Sequence, residues 1–520
     1  MNNPKGGRGG NSSIGRRTFL AGVGATVGAA ATSGTASAYH EQYDPINVVD
    51  AGAANDGSES ITDVLEELVH GEDEIALYFP PGEYLMDEQL RHTGFESFAM
   101  FGDDATIRPA QADEFDGPAR LFKLGASYNP GDWARVQGFD FDFTEPNTGL
   151  RALQMQCNDL YVRNVHVRGQ HDTGTWGPYQ FDVVDSDAVA VVKDCSAAEG
   201  GKYSVNTSTD HYPAAVNGGG PSGIIVSPAH QGRIWFKHCE LGGFPDNGLY
   251  SSGEDGEIVV YGGTYRNSNV ANIRIEGPLG YIKHAEVIVD ETRPEDGNQR
   301  GIRLDVGDDF WIYDTDVRME SVTGDAIRVT NGATNTTIQG ASIMVDDDDD
   351  IEDAISISEA AGEVTIFDSE IEMRSGGAAI DIKASNDDDV PVLVEDVTIT
   401  GDASGGYGGS HAIRCERDES RFYDLTVDQP GDDYRRCITI EGDSCIIAYG
   451  EYRSTHHPII NNAEDTAILG LTAEAYNGQE AIKMYEAEDV SIYDCVLYNG
   501  ITNPSGNDDY FVHDNSYPDN

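Results

Sequence analysis

Arginine and carboxylate side chains recur two residues apart in the second half of the chain. Arg274 precedes Glu276, Arg303 precedes Asp305, and Arg328 occupies the equivalent place of a further copy. A guanidinium group donates paired hydrogen bonds to carboxylates, and a neighbouring carboxyl group can accept or donate a proton. These residue types predict a site that binds an acidic ligand, with Arg274, Glu276, Arg303 and Asp305 as candidate catalytic residues and Arg328 as a ligand contact.

The pairs lie in copies of one short stretch. NIRIEG at Asn272 returns as GIRLDV at Gly301, AIRVTN at Ala326, AISISE at Ala354, AIDIKA at Ala379, AIRCER at Ala412, CITIEG at Cys437 and AIKMYE at Ala481. Apolar residues at alternate positions are typical of a strand, and a second strand follows most copies. Starts that recur roughly every 21–33 residues indicate a solenoid. We therefore predict an all-β fold, a right-handed parallel β-helix, with turns at dipeptides such as Tyr-Asp and Lys-His.

The strand period predicts which side chains meet on the surface. If Ile273 and Ile275 face the core, Arg274 and Glu276 face solvent, because successive residues of a strand point to opposite sides. Coils of a parallel solenoid lie ~4.8 Å apart. Tyr250, Arg274, Arg303 and Arg328 should then form a ladder along one face. The alternative is that the arginine and carboxylate side chains only neutralise one another in a lattice of ion pairs.

The regular pattern breaks from His171 to about Gly223, where long polar and aromatic segments replace the short strands. Insertions of this kind lie on one face of a solenoid and often carry binding residues. Trp176, Tyr179 and His211 are candidates for contact with sugar rings. Asp246 is a further candidate contact and, together with Glu254, a second carboxylate pair suited to hydrolysis.

Charge excludes some partners and indicates an environment. The 520 residues carry 91 acidic against 33 basic side chains, a formal charge of −58. Such an excess is typical of proteins that stay soluble in concentrated salt, and it disfavours nucleic acid as a partner. The seven Cys residues show no metal-binding spacing, and several share one repeat register, which predicts buried cysteines. The run Asp346–Asp350 offers oxygen ligands for calcium, with a solvated acidic loop as the alternative.

Four segments are expected in chain order. Residues 1–38 carry Arg16-Arg17, a short apolar run and Ala36-Ser37-Ala38, the pattern of a twin-arginine export signal rather than a membrane span. Residues 39–90 are expected to form a strand and a helix that cap the solenoid. Residues 91–502 are expected to form the β-helix, and residues 503–520 a tail or cap. The protein is therefore expected outside the cell or at its surface, and the sequence leaves open whether it forms a homo-oligomer.

The segment from Asp50 to Tyr84 carries a more specific signal. Asp50, Gly52-Ala53, Asp56-Gly57, Phe79-Pro80-Pro81-Gly82 and Tyr84 together resemble the entry segment of the pectate-lyase-like β-helix superfamily. That superfamily includes polysaccharide lyases, polygalacturonase-type hydrolases, uronate epimerases and tailspike depolymerases. The resemblance implies a polysaccharide partner, with lyase-type cleavage of an acidic glycan, or a related uronate reaction, as the expected activity. A non-catalytic glycan-binding or adhesin solenoid and a glycoside hydrolase are the alternatives, and the polygalacturonase-type motifs are absent.

Overall fold

The computed structural model describes residues 44–520 apart from 208–218, 254, 322, 347–351, 386–389, 406–410, 486, 505, 507–509 and 520. Residues 46–520 form one compact unit. The unit is an all-β, right-handed parallel β-helix with one α-helix near its start, which confirms the predicted fold. The segment 1–38, predicted to be an export signal, lies outside the described residues.

Three parallel sheets run along the solenoid, and each coil contributes a strand to each sheet in turn. The first sheet consists of strands Leu90–His92, Arg120–Leu124, the start of Arg151–Arg168, Tyr179–Val183, Ile224–Val226, Asn247–Ser251, Ala271–Ile275, Ile302–Leu304, Ile327–Val329, Ile355–Ile357, Ile380–Ile382, His411–Cys415, Arg436–Ile440, Ile459–Asn461, Ile482–Met484 and Ile501–Thr502.

The second sheet is built in the same way. Its strands are Ile46–Asn47, Glu74–Phe79, Ser97–Pro109, Gly131–Asp142, Arg151–Arg168, Val189–Ala197, Arg233–Lys237, Glu257–Tyr261, Leu279–Lys283, Gly307–Tyr313, Ala333–Gln339, Glu363–Phe367, Val392–Glu395, Arg421–Gln429, Ile446–Ser454, Ala467–Leu469, Val490–Tyr493 and Tyr510–His513. The last of these shows that residues of the predicted tail continue the ladder.

The third sheet shares the longest strands, which continue across the corner from the second. Its own strands are Asp56–Ser60, Gly82–Met86, Glu240–Leu241, Thr264–Arg266, Glu286–Val289, Asp316–Met319, Ser342–Val345, Glu370–Met373, Thr398–Thr400, Thr472–Ala475 and Val496–Leu497. One apolar core fills the space between the sheets from Val48 to Leu497, and all seven Cys residues are buried without disulfides.

Short turns with left-handed backbone join the second sheet to the third. The predicted dipeptides lie there, and their second residues have φ of 43° to 55° at Asp194, His238, His284, Asp314, Asp368, Asp424 and Asp494. Asp and His tolerate this conformation better than β-branched residues do, because their short polar side chains bond locally. The turn prediction is confirmed.

The α-helix Thr62–Val69 covers the start of the core with Leu65 and Val69. Ile61 holds the N-cap position of this helix and makes no side-chain cap. Ser60 Oγ still accepts a hydrogen bond from the Thr62 N–H at 3.2 Å, so the serine serves the helix from one residue further out. Within the described residues, no helix is long and apolar enough to cross a membrane.

Candidate functional site

The predicted ladder is present in the first sheet. Tyr250 pairs with Arg274, Arg274 with Arg303, and Arg303 with Arg328, each in register on neighbouring strands. The isoleucines on either side of Arg274 are fully buried, so the alternation of strand residues turns the arginine outward. Four residues that span 78 positions of the chain, from Tyr250 to Arg328, therefore lie on one wall.

Asp305 is the centre of an ion-pair network on this wall. Its Oδ2 accepts a hydrogen bond from Arg274 Nε at 2.6 Å, and its Oδ1 accepts one from Arg303 Nε at 2.8 Å. Thr330 Oγ1 donates a further bond to Oδ1 at 2.9 Å. Arg274 also reaches Glu276, whose Oε1 lies 3.0 Å from Nη2. Arg274 thus holds two carboxyl groups together, one from its own coil and one from the next.

The two carboxyl groups differ in exposure and in proton affinity. The Asp305 side chain is 5% exposed; burial acts to raise its pKa, but Arg274 and Arg303 outweigh burial and leave the pKa below the ordinary value. The Glu276 side chain is 20% exposed, and its pKa is raised by burial and by the Asp305 carboxylate, against the opposing effect of Arg274. Environments that push neighbouring pKa values apart are a mark of acid–base sites.

A cavity of about 740 Å³ opens over this network. Glu276, Arg303 and Arg328 line it, as do Arg300 and Lys383 from nearby strand ends. Arg328 Nη1 donates to Ser356 Oγ at 2.5 Å and lies 3.3 Å from Asp325 Oδ2, which fixes the guanidinium group at the cavity wall. The cavity therefore combines several cations with one carboxyl group of raised pKa.

A second cavity, of about 700 Å³, continues the same face toward the N-terminal coils. Trp176, Asp246 and Tyr250, which are predicted ligand contacts, line it, and Trp176 is 46% exposed. The Tyr250 ring also receives the Arg274 guanidinium at 4.8 Å from its centroid, so this tyrosine lies where the two cavities meet. Asp246 Oδ2 accepts a hydrogen bond from Ser222 Oγ at 2.7 Å, and burial raises the pKa of Asp246.

Tyr179 was wrongly expected to contact a ligand. It is fully buried, and its hydroxyl donates to the carbonyl oxygens of Ser196 and Val165 at 3.0 and 3.2 Å. The segment around it is a regular strand, Tyr179–Val183, in which Tyr179 and Phe181 point into the core and Gln180 and Asp182 point to the other side. His211 and Glu254 lie outside the described residues.

Sequence reasoning missed the polar floor of the second cavity. Arg151, Gln154 and Gln180 come from the irregular early coils, and the strand register places Gln180 beside Gln154. Gln180 Nε2 in turn donates to Asp182 Oδ2 at 2.8 Å. The sequence does contain a signal for Gln180, because apolar and polar residues alternate in Tyr179–Val183. The irregular segments on either side make this alternation hard to recognise.

No metal centre is evident in the part of the chain that the structure describes, where no group of three His, Cys, Asp or Glu side chains is arranged to hold an ion. The acidic run considered for calcium lies outside the described residues from 347 to 350. The calcium expectation therefore remains a prediction.

Comparisons with known proteins show what the chain is similar to. No protein-family model matches the chain, and no curated protein matches its sequence. Among solved structures, the surface adhesin PfbA of Streptococcus pneumoniae is 12% identical, with 86% of this chain and 91% of that chain covered and a TM-score of 0.31. The catalytic unit of a GH87 alpha-1,3-glucanase from Streptomyces thermodiastaticus is 12% identical over 91% and 68%, with a TM-score of 0.29.

The A-module of the mannuronan C-5 epimerase AlgE4 of Azotobacter vinelandii is 10% identical over 90% of this chain and 99% of that chain, with a TM-score of 0.28. TM-scores this low carry no argument about activity. The fold assignment rests on the strand pairings of the chain itself, and the function must be argued from its own side chains.

Proposed function

We propose that the protein acts on an extracellular acidic polysaccharide and cleaves it by β-elimination in the cavity lined by Glu276, Arg303 and Arg328. The observation that carries this proposal is the unequal carboxyl pair held by Arg274. Asp305 is fixed as an anion, while Glu276 faces the cavity with a raised pKa among cations. This arrangement suits a reaction that needs a neutralised carboxylate and one group that moves a proton.

The roles follow from the positions. Arg303 and Arg328 bind the carboxylate of a uronate unit, and the loss of its negative charge makes the adjacent C–H bond more acidic. The Glu276 carboxylate removes that proton. The C–H electron pair forms the new C=C bond, the glycosidic C–O bond breaks, and the leaving oxygen takes the proton back from Glu276. No further reactant is consumed.

Arg274 is a poor candidate for the base. Burial acts to lower its pKa, but Asp305, Tyr250 and Glu276 raise it overall and keep the guanidinium group charged. Asp305, expected to be catalytic, has both carboxylate oxygens engaged and is nearly enclosed. We assign Asp305 the role of a positioning residue, which holds Arg274 and Arg303 and raises the pKa of Glu276.

The same contacts disfavour hydrolysis. A glycoside hydrolase needs two carboxyl groups that both reach the substrate, one as acid and one as base or nucleophile. Asp305 lines the cavity, but both of its oxygens already accept hydrogen bonds from two arginines and Thr330, which compete with its use as a base or nucleophile. The hydrolase alternative is therefore less well supported than elimination.

A non-catalytic glycan-binding solenoid is the second candidate, because ion pairs between residues i and i+2 recur elsewhere on the surface. Arg374 binds Glu372 and Arg453 binds Glu451 in the same way. Those glutamates are 43% and 53% exposed, whereas Asp381 and Glu416, the i, i+2 partners of Lys383 and Arg414 in the first sheet, are 9% and 24% exposed. Asp305, at 5%, differs from all of these because it accepts hydrogen bonds from two arginines. Exposed pairs contribute little to stability, and burying charged groups is costly, so two arginines on one buried carboxylate favour a built site over a surface lattice.

The decisive experiment incubates the protein with a panel of uronic-acid polymers in concentrated salt, with and without calcium. Elimination produces an unsaturated uronate that absorbs ultraviolet light, hydrolysis produces only reducing ends, and binding alone produces neither. Arg303→Ala should abolish the absorbance increase, whereas Arg374→Ala, which removes a similar but exposed pair, should leave it unchanged. Normal turnover by Arg303→Ala would refute the proposed site.

Export is part of the same proposal, since a polysaccharide substrate lies outside the cell. The twin arginines Arg16 and Arg17 are expected to direct it, with cleavage after Ala38. In the native host, the double variant Arg16→Lys/Arg17→Lys should accumulate inside the cell with its N-terminus intact. Unchanged secretion of that variant would refute the proposed route and leave the proposed chemistry untouched.

A further inference from the structure

The second cavity, lined by Arg151, Gln180, Trp176 and Tyr250, has an unusual floor for so acidic a protein. Arg151, which lines the cavity, is 6% exposed, and Lys123, which does not line it, is 7% exposed. Arg120 lies beside them and is half-buried. Among the described residues, none of these three cations has an acidic side chain within ion-pair distance, although most other basic residues of the molecule have one.

Neutral oxygens take the place of acids around this cluster. Arg151 Nη1 donates to Gln180 Oε1 at 2.5 Å and its Nε to the Gly177 carbonyl at 3.2 Å. Lys123 Nζ donates to Gln156 Oε1 at 3.0 Å, and Arg120 Nη1 donates to Gln154 Oε1. The cations are hydrogen-bonded but form no ion pair, and only the nearby Asp182 offsets part of their charge.

One carboxylate, Asp182, lies near these cations, and it accepts hydrogen bonds from two of the glutamines. Its Oδ2 accepts from Gln156 and Gln180 at 2.9 and 2.8 Å, and its Oδ1 accepts from the Ser227 N–H at 2.7 Å. Burial, together with the neighbouring cations, lowers the pKa of Lys123 to about 8 and that of Arg151 to about 9. Buried like charges are costly, and the cost is relieved when an anion joins them.

Arg151 also has an open donor. Its Nη2 is buried and has no hydrogen-bond partner among the described residues. A buried guanidinium nitrogen with nothing to bind loses its hydration without replacement. Arg151 itself lines the cavity, so a shift of its guanidinium group toward a ligand there would give this nitrogen a partner.

The side chains that line the cavity indicate what kind of molecule bears the anionic group. Trp176 is 46% exposed, and Tyr250 lies three strands downstream of Arg151's strand in the first sheet, so two aromatic side chains line the cavity together with the cations. Aromatic faces suit the apolar faces of sugar rings. Asp246 also lines the cavity, and its Oδ2 is engaged by the Ser222 hydroxyl.

We propose that this cavity is a subsite for a sugar unit bearing a carboxylate or sulfate group, which Arg151 and Arg120 bind and Trp176 covers. The proposal rests on the proposed function and deepens it, since this cavity lies on the same face as the proposed reaction site. In the first sheet, the strand of Arg151 lies five strands before the strand of Arg303. At the strand spacing of a sheet this is ~24 Å. A substrate that fills both cavities must therefore be an oligosaccharide, and short acidic sugars would occupy this subsite without being cleaved.

The test uses the full chain and its tryptophan fluorescence at constant high salt. The probes are D-glucuronate and D-glucose 6-sulfate, which separate the two anionic groups, and D-glucose as the neutral control. At least one of the charged sugars should bind about tenfold or more tightly than glucose, since a charge-assisted bond contributes that much. Trp176→Phe should remove the fluorescence response. Equal binding of all three sugars would overturn the proposal.

Variants locate the subsite and separate it from the reaction. Arg151→Gln should weaken binding of the charged sugar about tenfold or more, and Arg120→Gln gives a second reading at a half-buried position should Arg151→Gln fail to fold. Arg303→Ala should bind the sugar like the wild type even though it loses elimination. If Arg120→Gln and a folded Arg151→Gln both bind normally, the proposal is wrong, whether or not the chain proves to be a lyase.

Discussion

Replacement of Asp305 by Asn tests the site most informatively, because it removes one charge and almost no volume. Asp305 is 5% exposed, and its two arginine partners are 20% and 26% exposed, so the network is largely shielded from water. Breaking a buried ion pair by removing one partner costs about 3–5 kcal/mol. The equivalent change at an exposed pair, Glu372→Gln, should cost less than about 1 kcal/mol.

The activity of the same variant separates a positioning role from a merely structural one. The Asp305 charge raises the pKa of Glu276, so its removal should lower that pKa. If the Glu276 carboxylate is the base, the acidic limb of the kcat/KM–pH profile must move to lower pH in Asp305→Asn. The maximal rate should fall as well, since the single amide oxygen can accept from only one of the two arginines that Asp305 holds.

The assay combines urea denaturation of the two variants with initial rates of ultraviolet absorbance across pH, in matched salt. A loss of stability with an unmoved acidic limb would refute the role assigned to Glu276. A limb that moves to higher pH would refute the electrostatic argument itself.

Four further predictions follow from particular side chains. Glu276→Gln should lower the elimination rate about 100-fold or more while retaining polymer affinity, measured by retardation on a polyuronate gel, because only the proton transfer is lost. Lys123 has a pKa of about 8 in the folded protein, set by burial and by Arg120, Arg91 and Arg151 against Asp182, and an unfolded lysine titrates near 10.4. The unfolded lysine binds more protons between those values, so the contribution of Lys123 to stability should rise from pH 8 to pH 10, and the wild type should gain urea stability relative to Lys123→Met over that range. Asp424 is exposed with φ of 52°, so Asp424→Val should destabilise the fold by about 1–2 kcal/mol while Asp424→Gly is tolerated, as thermal melts can show. All seven cysteines are free and buried, and burial raises the pKa of Cys157, Cys239 and Cys437 to about 12, so a thiol reagent should label them only after unfolding.

The repeated strands could be predicted from the sequence because period and register carry the same information in a solenoid. Once Ile273 and Ile275 are placed in the core, the outward position of Arg274 follows, and a regular repeat carries the phase to Arg303 and Arg328. The left-handed turns at Asp314 and its equivalents were predictable for a related reason, since few residue types accept that backbone.

The early coils could not be predicted in the same way, because their lengths vary. The pairing of Lys123 with Gln154 and of Gln154 with Gln180 spans unequal intervals that no repeat announces. Tyr179 was placed on the surface because its segment lacks the repeat, although its own alternation with Phe181 indicates the core. The opposite proton affinities of Glu276 and Asp305 were also beyond the sequence, since both are acids at equivalent positions and only their burial separates them.

The most direct test of the central claim is a structure of the Glu276→Gln variant with an acidic oligosaccharide that the wild type cleaves. The account predicts a sugar chain along the first sheet, with a carboxylate bound by Arg303 and Arg328 and the chain running past Tyr250 toward Trp176. A sugar chain bound on either of the other two sheets, with the arginine ladder vacant, would contradict it.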